Sequence, residues 1–420
     1  MKKTKPFIID RNQVMNAYLK IMRNGKSAGV DAISLTEFHK NYDKHLYRIW
    51  NRMSSGSYIP PSVKEVEIPK KGGGVRPLGI PTVGDRVAQM VVKDLLEPHL
   101  EPIFHEDSYG YRPGRSAHDA LAVARQRCWW YDWVLDLDIK GFFDNIPHDL
   151  LMKAVRKHTQ CKWVVLYIER WLTAPLQKAD GTLEPRTKGT PQGSVISPLL
   201  SNLFMHYCFD EWMSRNSYGC KFERYADDII IHCRSAKQAI AVKLAVRKRL
   251  WECGLEMHPE KTSIVYCKDS NRTESIDRKD FGVSFDFLSY TFKPRQAQNK
   301  TCKETFTCFL PAISNKAKAS INEKMQNWKI LYCHQVNLRD IANQVNPVIQ
   351  GWINYYGKFS RGVLKNFFGI INRKLAKWAE RKFKRLHGRK TAPIRWLRNI
   401  SRRNITLFAH WKMGAIPSVR

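Results

Sequence analysis

Phe222-Glu223-Arg224-Tyr225-Ala226-Asp227-Asp228-Ile229-Ile230-Ile231-His232 is the stretch on which the reading of this chain turns. Residues that favour strands flank a short polar centre. This predicts a hairpin with Ala226, Asp227 and Asp228 at or beside its turn. Two adjacent carboxylates at a tight bend repel one another and gain little from packing. Cations relieve that repulsion, and hard divalent ions such as Mg²⁺ prefer carboxylate oxygens. An acidic turn by itself is most often simply solvated. Here aliphatic strands enclose it, and a third carboxylate waits upstream.

That carboxylate belongs to Trp133-Val134-Leu135-Asp136-Leu137-Asp138-Ile139-Lys140-Gly141-Phe142-Phe143-Asp144. Strand alternation places Trp133, Leu135, Leu137 and Ile139 on the core face, with Asp136 and Asp138 opposite. Two acids on a face near a second acidic turn are costly unless a cation joins them. Asp144 and Asp149 read as helix-start groups, and Asp136 also reads as the partner of a neighbouring cation.

Composition narrows the partner. The 420 residues carry 71 Lys and Arg against 38 Asp and Glu, a net charge of +33. Such a surface repels itself unless it meets a polyanion, so nucleic acid is the expected partner. No apolar run approaches spanning length, which argues against a membrane partner. The basic start, Met1-Lys2-Lys3-Thr4-Lys5, lacks the apolar core of a secretory signal. The ten cysteines include no Cys-x-x-Cys pair. Free thiols in a reducing cytoplasm, and no structural metal, are therefore expected. The length suits two or three domains.

Along the chain, residues 1–60 read as helical, with Val14, Tyr18 and Ile21 on one buried face. The segment 66–80 reads as two strands joined by a basic glycine tip. Lys70 and Arg76 flank that tip and could neutralise a triphosphate, although a solvated basic turn fits the spacing equally well. Gly84 to Leu100 reads as a helix with Val87, Met90, Val91 and Leu95 on one side, ended by Pro98 and Pro102. A loop then enters a further helix, with Ser116 and Asp119 spaced as a capping box. Arg112 and Arg115 fall near that helix's positive end, where a phosphate could sit. His118 reads as readily as a packing residue.

Pro191-Gln192-Gly193 is a turn that lets backbone approach a ligand, with Gln192 offering donor and acceptor. Ser235 to Cys253 is an amphipathic helix stopped by Gly254. Lys261 lies in a turn of the segment 255–265, and 285–292 reads as a strand. From about residue 296 basic helices dominate. Leu364, Phe367, Phe368, Ile371, Leu375 and Trp378 form a core stripe, with Arg373, Lys374, Lys377, Arg381, Lys384 and Arg385 opposite. Glu380 is the one acid between 371 and 404, so this face is the expected phosphate binder.

The order of basic hairpin, Asp138 strand, Pro-Gln-Gly turn, acidic hairpin and Lys261 fits a nucleotidyl-transfer site served by two metal ions. One ion would activate a primer 3′ oxygen and the other would hold the triphosphate.

These blocks resemble group II intron-encoded reverse transcriptase/maturases over nearly the whole chain. The resemblance is carried by Glu67-Ile68-Pro69-Lys70, Gly110-Tyr111-Arg112-Pro113-Gly114-Arg115-Ser116, Asp138-Ile139-Lys140-Gly141-Phe142-Phe143-Asp144, Gly189-Thr190-Pro191-Gln192-Gly193, Arg224-Tyr225-Ala226-Asp227-Asp228 and Pro259-Glu260-Lys261. Asn346 to Tyr356 resembles the maturase, or thumb, region. The resemblance implies an α+β right-hand polymerase fold of fingers and palm followed by an α-helical thumb. Its implied divisions are a helical extension of the fingers at 1–60, fingers and palm at 61–295, thumb/maturase at 296–390 and a basic nucleic-acid-binding tail at 391–420.

It also implies that Asp138, Asp227 and Asp228, with the Ile139 carbonyl, hold two Mg²⁺ ions. Lys70, Arg76, Phe143, Gln192 and Lys261 would then contact the dNTP, with Phe143 filling the space of a ribose 2′-hydroxyl. Arg112, Arg115, Arg373, Lys374, Lys377, Arg381, Lys384 and Arg385 would bind template, primer or intron RNA.

The implied partners are group II intron RNA, an RNA template with DNA primer, a DNA target and dNTPs, and a homodimer is compatible with them. The implied function is RNA-directed DNA synthesis, maturase assistance to splicing, and retrotransposition from a target or nascent-strand primer in a bacterial cytoplasm, at the nucleoid when acting on DNA. A domesticated relative in DNA repair or phage defence is the alternative. No histidine- and cysteine-bearing endonuclease segment follows the thumb block, so the expected type is the endonuclease-lacking one. Ser289 stands where relatives commonly carry Gly.

Overall fold

Residues 5–23, 27–69, 75–216, 218–272, 280–298, 304–333 and 335–418 are described by a computed structural model. The chain divides into two units that interleave in sequence. The first holds Met1–Ser116, Leu135–Ile231 and Ala236–Thr262; the second holds Ala117–Val134, His232–Ser235 and Ser263–Arg420.

In the first unit the Arg11–Met22 helix opens on a capping box between Asp10 and Gln13 and buries Val14, Ala17, Tyr18 and Ile21, the face its spacing predicts. The strands β1 (Val63–Pro69) and β2 (Val75–Ile80) pair antiparallel, in register from Lys64 with Ile80 to Pro69 with Val75. Lys70 lies outside the described residues. Further on, β4 (Leu176–Gln177) pairs parallel with β1 and antiparallel with β5 (Leu183–Glu184).

The Val83–Leu100 helix buries Val87 and Val91 as expected, but also Asp85, Arg86 and Gln89, while Met90 and Leu95 are half-buried. The helix ends at Leu100, the end its sequence predicts, with Pro98 inside its last turn. In the last turn a proline forfeits a single ladder bond, which leaves the helix intact.

The acidic hairpin forms as read, from β6 (Lys221–Tyr225) and β7 (Asp228–Cys233). Beside β7 runs β3 (Trp133–Leu137). Ile229, Ile230 and Ile231 are all fully buried, the mark of a strand covered on both faces. Asp144 and Asp149 stand in the first turns of the helices Phe142–Asn145 and His148–His158, as expected of helix-start groups.

In the second unit β8 (Ser263–Tyr266) lies beside the first residues of β3, and the rings of Trp133 and Tyr266 meet at 5.0 Å. A separate antiparallel sheet has the order β11-β10-β9, from Phe285–Phe287 (β9), Tyr290–Gln298 (β10) and Thr305–Ile313 (β11). The segment 285–292, expected as one strand, is thus a hairpin. Leu288 and Ser289 form its turn, with φ of 49° and 66°, the pair of positive values that a type I′ turn demands. No Gly or Asn announces that turn in the sequence. Tyr355 holds it instead, its hydroxyl donating to the Leu288 carbonyl at 2.9 Å.

The helices Leu338–Tyr356, Arg361–Lys382 and Ala392–Arg403 share one core. Leu364, Phe368, Ile371, Leu375 and Trp378 are buried in it, and Phe367 packs at its margin. Residues 391–420, expected as a basic tail, instead contribute Leu397, Phe408 and Trp411 to that core, each fully buried. Asn372 anchors this segment: it accepts from Trp411 Nε1 at 2.8 Å, bonds His410 at 2.9 Å and donates to the Ala415 carbonyl at 2.8 Å. Burial pushes the His410 pKa down to about 3, so the ring stays neutral. Among the described residues no helix is long and apolar enough to cross a membrane.

A β-branched residue at the positive φ of Ser289 should be strained where Gly is not. Ser289→Val is expected to be less stable than Ser289→Gly by about 1–2 kcal/mol, since both lose the hydroxyl and only one clashes. Urea unfolding of the two variants measures this; equal midpoints would show that the turn relaxes at no cost.

Candidate active site

The hairpin turn falls at Ala226 and Asp227, where its sequence predicts it, between β6 and β7. Ala226 takes φ +60°, which fits the primed turns that match strand twist. Below it lies Arg224, fully buried. Its Nε and Nη2 grip Asp210 at 2.7 and 2.6 Å. Nη1 donates to Asn202 Oδ1 at 3.0 Å and to the Ala226 carbonyl at 3.2 Å, and Nη2 also reaches Ser108 Oγ at 2.7 Å. All five guanidinium donors are therefore engaged. The backbone of Arg224 is held as well, donating to Asp107 O at 2.9 Å and accepting from Tyr109 N at 2.8 Å.

Gly110 completes the seat. A Cβ there would stand 2.5 Å from the Ala226 nitrogen, so only glycine lets this loop touch the turn. Asn202 closes the circuit by donating to the Gly110 carbonyl at 2.7 Å. Asp227 and Asp228, both half-buried, are thus carried on a turn fixed from beneath.

Asp138 follows directly on β3. Its carbonyl accepts from His258 N at 2.8 Å, Ile139 bridges Met257, and Lys140 N donates to Glu256 O at 2.9 Å. This stitching delivers Lys261, whose ammonium lies 2.9 Å from Asp138 Oδ2. Tyr131, just before β3, has its ring 5.9 Å from that of His232, near the end of β7. The two strands therefore run in opposite directions, and the end of β3 lies toward the start of β7.

The expected ligands, Asp138, Asp227, Asp228 and the Ile139 carbonyl, are hard oxygen donors of the kind Mg²⁺ prefers. Among the described residues no three His, Cys, Asp or Glu side chains are gathered as a metal-holding group. The Lys261 ammonium supplies positive charge beside Asp138 in this arrangement.

A second cluster joins Phe143, Asp144 and the Pro191-Gln192-Gly193 turn. Thr190 N donates to the Phe143 carbonyl at 2.7 Å, and a Cβ on Gly189 would meet the Phe143 and Asp144 carbonyls within 2.8 Å. Gln192 Nε2 lies 3.3 Å from Asp144 Oδ1. Phe143 is buried and packs edge-on against Phe142. Arg76 belongs to β2, the neighbouring strand.

Two expectations are corrected. Arg112 is buried at 8% exposure, spent on Glu101 at 2.7 Å and on the carbonyls of His105 and Ser108 at 2.6 and 2.7 Å. It braces the loop from within, whereas Arg115 is exposed, over the Tyr109 ring. Lys384 and Arg385 do not extend the basic helix face: that helix ends at Lys382, and they sit on the short turn Lys384–Leu386. His118 packs, bonding the Tyr355 carbonyl at 2.8 Å.

In the second unit Arg373 and Lys377 border two grooves on either side of the Arg361–Lys382 helix. One, of about 510 Å³, adds Lys365 and Lys390. The other, of about 320 Å³, adds Lys374 and Arg381, whose guanidinium lies 5.0 Å over the Tyr332 ring.

Removing one partner of the Arg224–Asp210 pair leaves a buried charge uncompensated. Asp210→Ala is expected to cost about 3–5 kcal/mol in chemical denaturation. A loss below about 1 kcal/mol, the scale of a surface pair, would show that water reaches this guanidinium.

Residues 68–303 match the family described as reverse transcriptase (RNA-dependent DNA polymerase), and residues 318–396 match the group II intron maturase-specific domain. The protein YkfC of Escherichia coli (strain K12) is 30% identical over 286 residues, covering 59% of this chain and 74% of YkfC. The group II intron-encoded protein LtrA of Lactococcus lactis subsp. cremoris is 34% identical over 174 residues, covering 39% of this chain and 27% of LtrA. A telomerase structure from Candida albicans superposes with a TM-score of 0.46 at 12% identity, covering 91% of this chain and 68% of that one.

Proposed function

Because the chain belongs to the reverse transcriptase (RNA-dependent DNA polymerase) family and carries a group II intron maturase-specific domain, we propose that it copies RNA into DNA at the Asp227-Asp228 turn and clamps intron RNA with its helical second half. The observation that carries this reading is the buried Arg224 seat, which holds two half-buried carboxylates on a fixed bend. On this reading Asp138, Asp227 and Asp228, with the Ile139 carbonyl, would hold two Mg²⁺ ions. Such ions, when bound, lower the charge barrier between a 3′ oxygen and a triphosphate.

The rest falls to side chains. Lys261, already paired with Asp138, adds positive charge where phosphate charge develops. Phe143 lies under the sugar and leaves no room for a 2′-hydroxyl, which selects dNTP over NTP. Gln192 contacts the nascent pair or its ribose. Lys70 and Arg76 grip the triphosphate. Arg373, Lys374, Lys377 and Arg381, with Arg115, Lys384 and Arg385, supply phosphate contacts to RNA. Splicing assistance, and retrotransposition primed at a DNA target or nascent strand, follow from joining the two activities in one chain.

Asp227→Ala should abolish primer extension on an RNA template while leaving intron-RNA binding and splicing support largely intact. Equal loss of both would refute separable roles. Removing the charges of Arg373, Lys377 and Arg381 together should weaken RNA binding and reduce the slope of log K against log salt by about 2–3. An unchanged slope would move the RNA to another face.

A further inference from the structure

Gln89 lies one turn beyond Asp85 on the Val83–Leu100 helix and is 1% exposed. Its amide faces two ways. Nε2 donates to Asp85 Oδ2 at 2.9 Å, while Oε1 accepts from Ser194 Oγ at 2.6 Å and from Val195 N at 2.9 Å. An ionised carboxylate only accepts, so Asp85 dictates which end of the amide turns toward it. Asp85 is itself pinned: its Oδ1 accepts from the Tyr58 hydroxyl at 2.8 Å and from Trp171 Nε1 at 2.7 Å. The Gln89 carbonyl is therefore presented at one fixed point, to the two residues that follow Pro191-Gln192-Gly193.

From the other side β2 holds the same turn. Gly79 N donates to the Gln192 carbonyl at 2.8 Å, and a Cβ on Gly193 would lie 2.7 Å from Gly79 O. The turn is clamped through its backbone and through Ser194, by bonds that do not use the Gln192 side chain. Burying Asp85 is expensive, and its pKa is pushed up to about 6 by desolvation. A raised carboxyl pKa means that stability falls as pH climbs from about 4 to about 6, the opposite of a salt-bridged acid. An apolar residue would fill this core at lower cost; what it could not do is orient an amide.

We propose that Gln89, oriented by Asp85, is a positioning residue that sets the pose of Gln192 toward the incoming nucleotide. The inference rests on the reading of Gln192 as part of the dNTP site. A plain core staple would have a different signature, since its loss lowers stability without moving the nucleotide KM.

The decisive test exchanges the two functional groups. Gln89→Glu sets two carboxylates against each other. Adding Asp85→Asn restores every bond, with donor and acceptor reversed only between positions 85 and 89: the new amide oxygen still accepts from Tyr58 and Trp171, and its nitrogen donates to the carboxylate at position 89. Primer extension over a dNTP range should show KM raised about tenfold in Gln89→Leu and Gln89→Glu, with kcat changed less than about threefold. The double exchange should return KM to the wild-type value.

A wild-type KM in Gln89→Leu, with only its melting temperature lowered, would overturn the inference. So would a double variant no better than Gln89→Glu alone, a comparison that stands even if Gln89→Leu does not fold. Gln192→Ala, assayed alongside, separates the two failures. If it leaves KM unchanged, the dNTP-site reading itself is wrong; if it raises KM while Gln89→Leu does not, the positioning role alone falls.

Discussion

The buried pairing of Arg224 with Asp210 is the constraint on which the first unit's architecture depends. Both side chains are wholly inaccessible, and taking two charges out of water costs several kcal/mol for each ion. Coulomb attraction at 2.6 Å and five satisfied donors offset that cost. The gain is direction more than stability. A hydrophobic residue could fill the same volume, but it could not draw a serine hydroxyl, an asparagine amide, a carboxylate and the Ala226 carbonyl to one plane. Asp210 closes a π-helical turn, His206–Asp210, and such irregular turns re-aim a side chain that a regular helix would point elsewhere.

A second polar scaffold does the same for the Pro191-Gln192-Gly193 turn. There the core carries a carboxylate, an amide, an indole N–H and a phenol in one chain of bonds. The two scaffolds share a logic. Each fixes the backbone of a turn from below with buried groups of strict directionality. Half-satisfied, either network would be worse than an apolar core. Fully satisfied, each leaves its turn little freedom.

What was legible in the sequence follows from range. The Asp227-Asp228 hairpin, the Val14-Tyr18-Ile21 face and the Leu364-to-Trp378 stripe are set by neighbours within a few residues, and period and turn chemistry reveal them. The seat of Arg224 is not local: Asn202 and Ser108 are 22 and 116 residues away. An arginine inside an apolar hairpin was the available signal, since it must find a carboxylate. The Leu288-Ser289 turn was hidden for another reason. Its positive φ values are imposed by Tyr355 and the flanking strands on residues that do not prefer them. Residues 391–420 looked like a tail because they carry arginines and a lysine and no acid, yet Leu397, Phe408 and Trp411 reach a core already formed by the preceding helices.

The same buried pairs also decide how the chain's charge is seen from outside. Two arginines drawn into the fold bring an acid with them: Asp210 for Arg224 and Glu101 for Arg112. Each such pair takes one cation and one anion off the surface together, leaving the excess of +33 untouched. With acids fewer to begin with, internal pairing depletes them proportionally more than cations. The exposed shell is therefore more one-sided than the composition suggests, and its cations, such as Arg373, Lys377 and Arg381, face solvent with Glu380 as the single acid near them in sequence. A basic surface of that kind binds a polyanion through released counterions. It follows that composition alone overstates how many arginines face solvent and understates how one-sided the exposed charge is. Arg112 shows the first error, and the grooves beside the Arg361–Lys382 helix show the second.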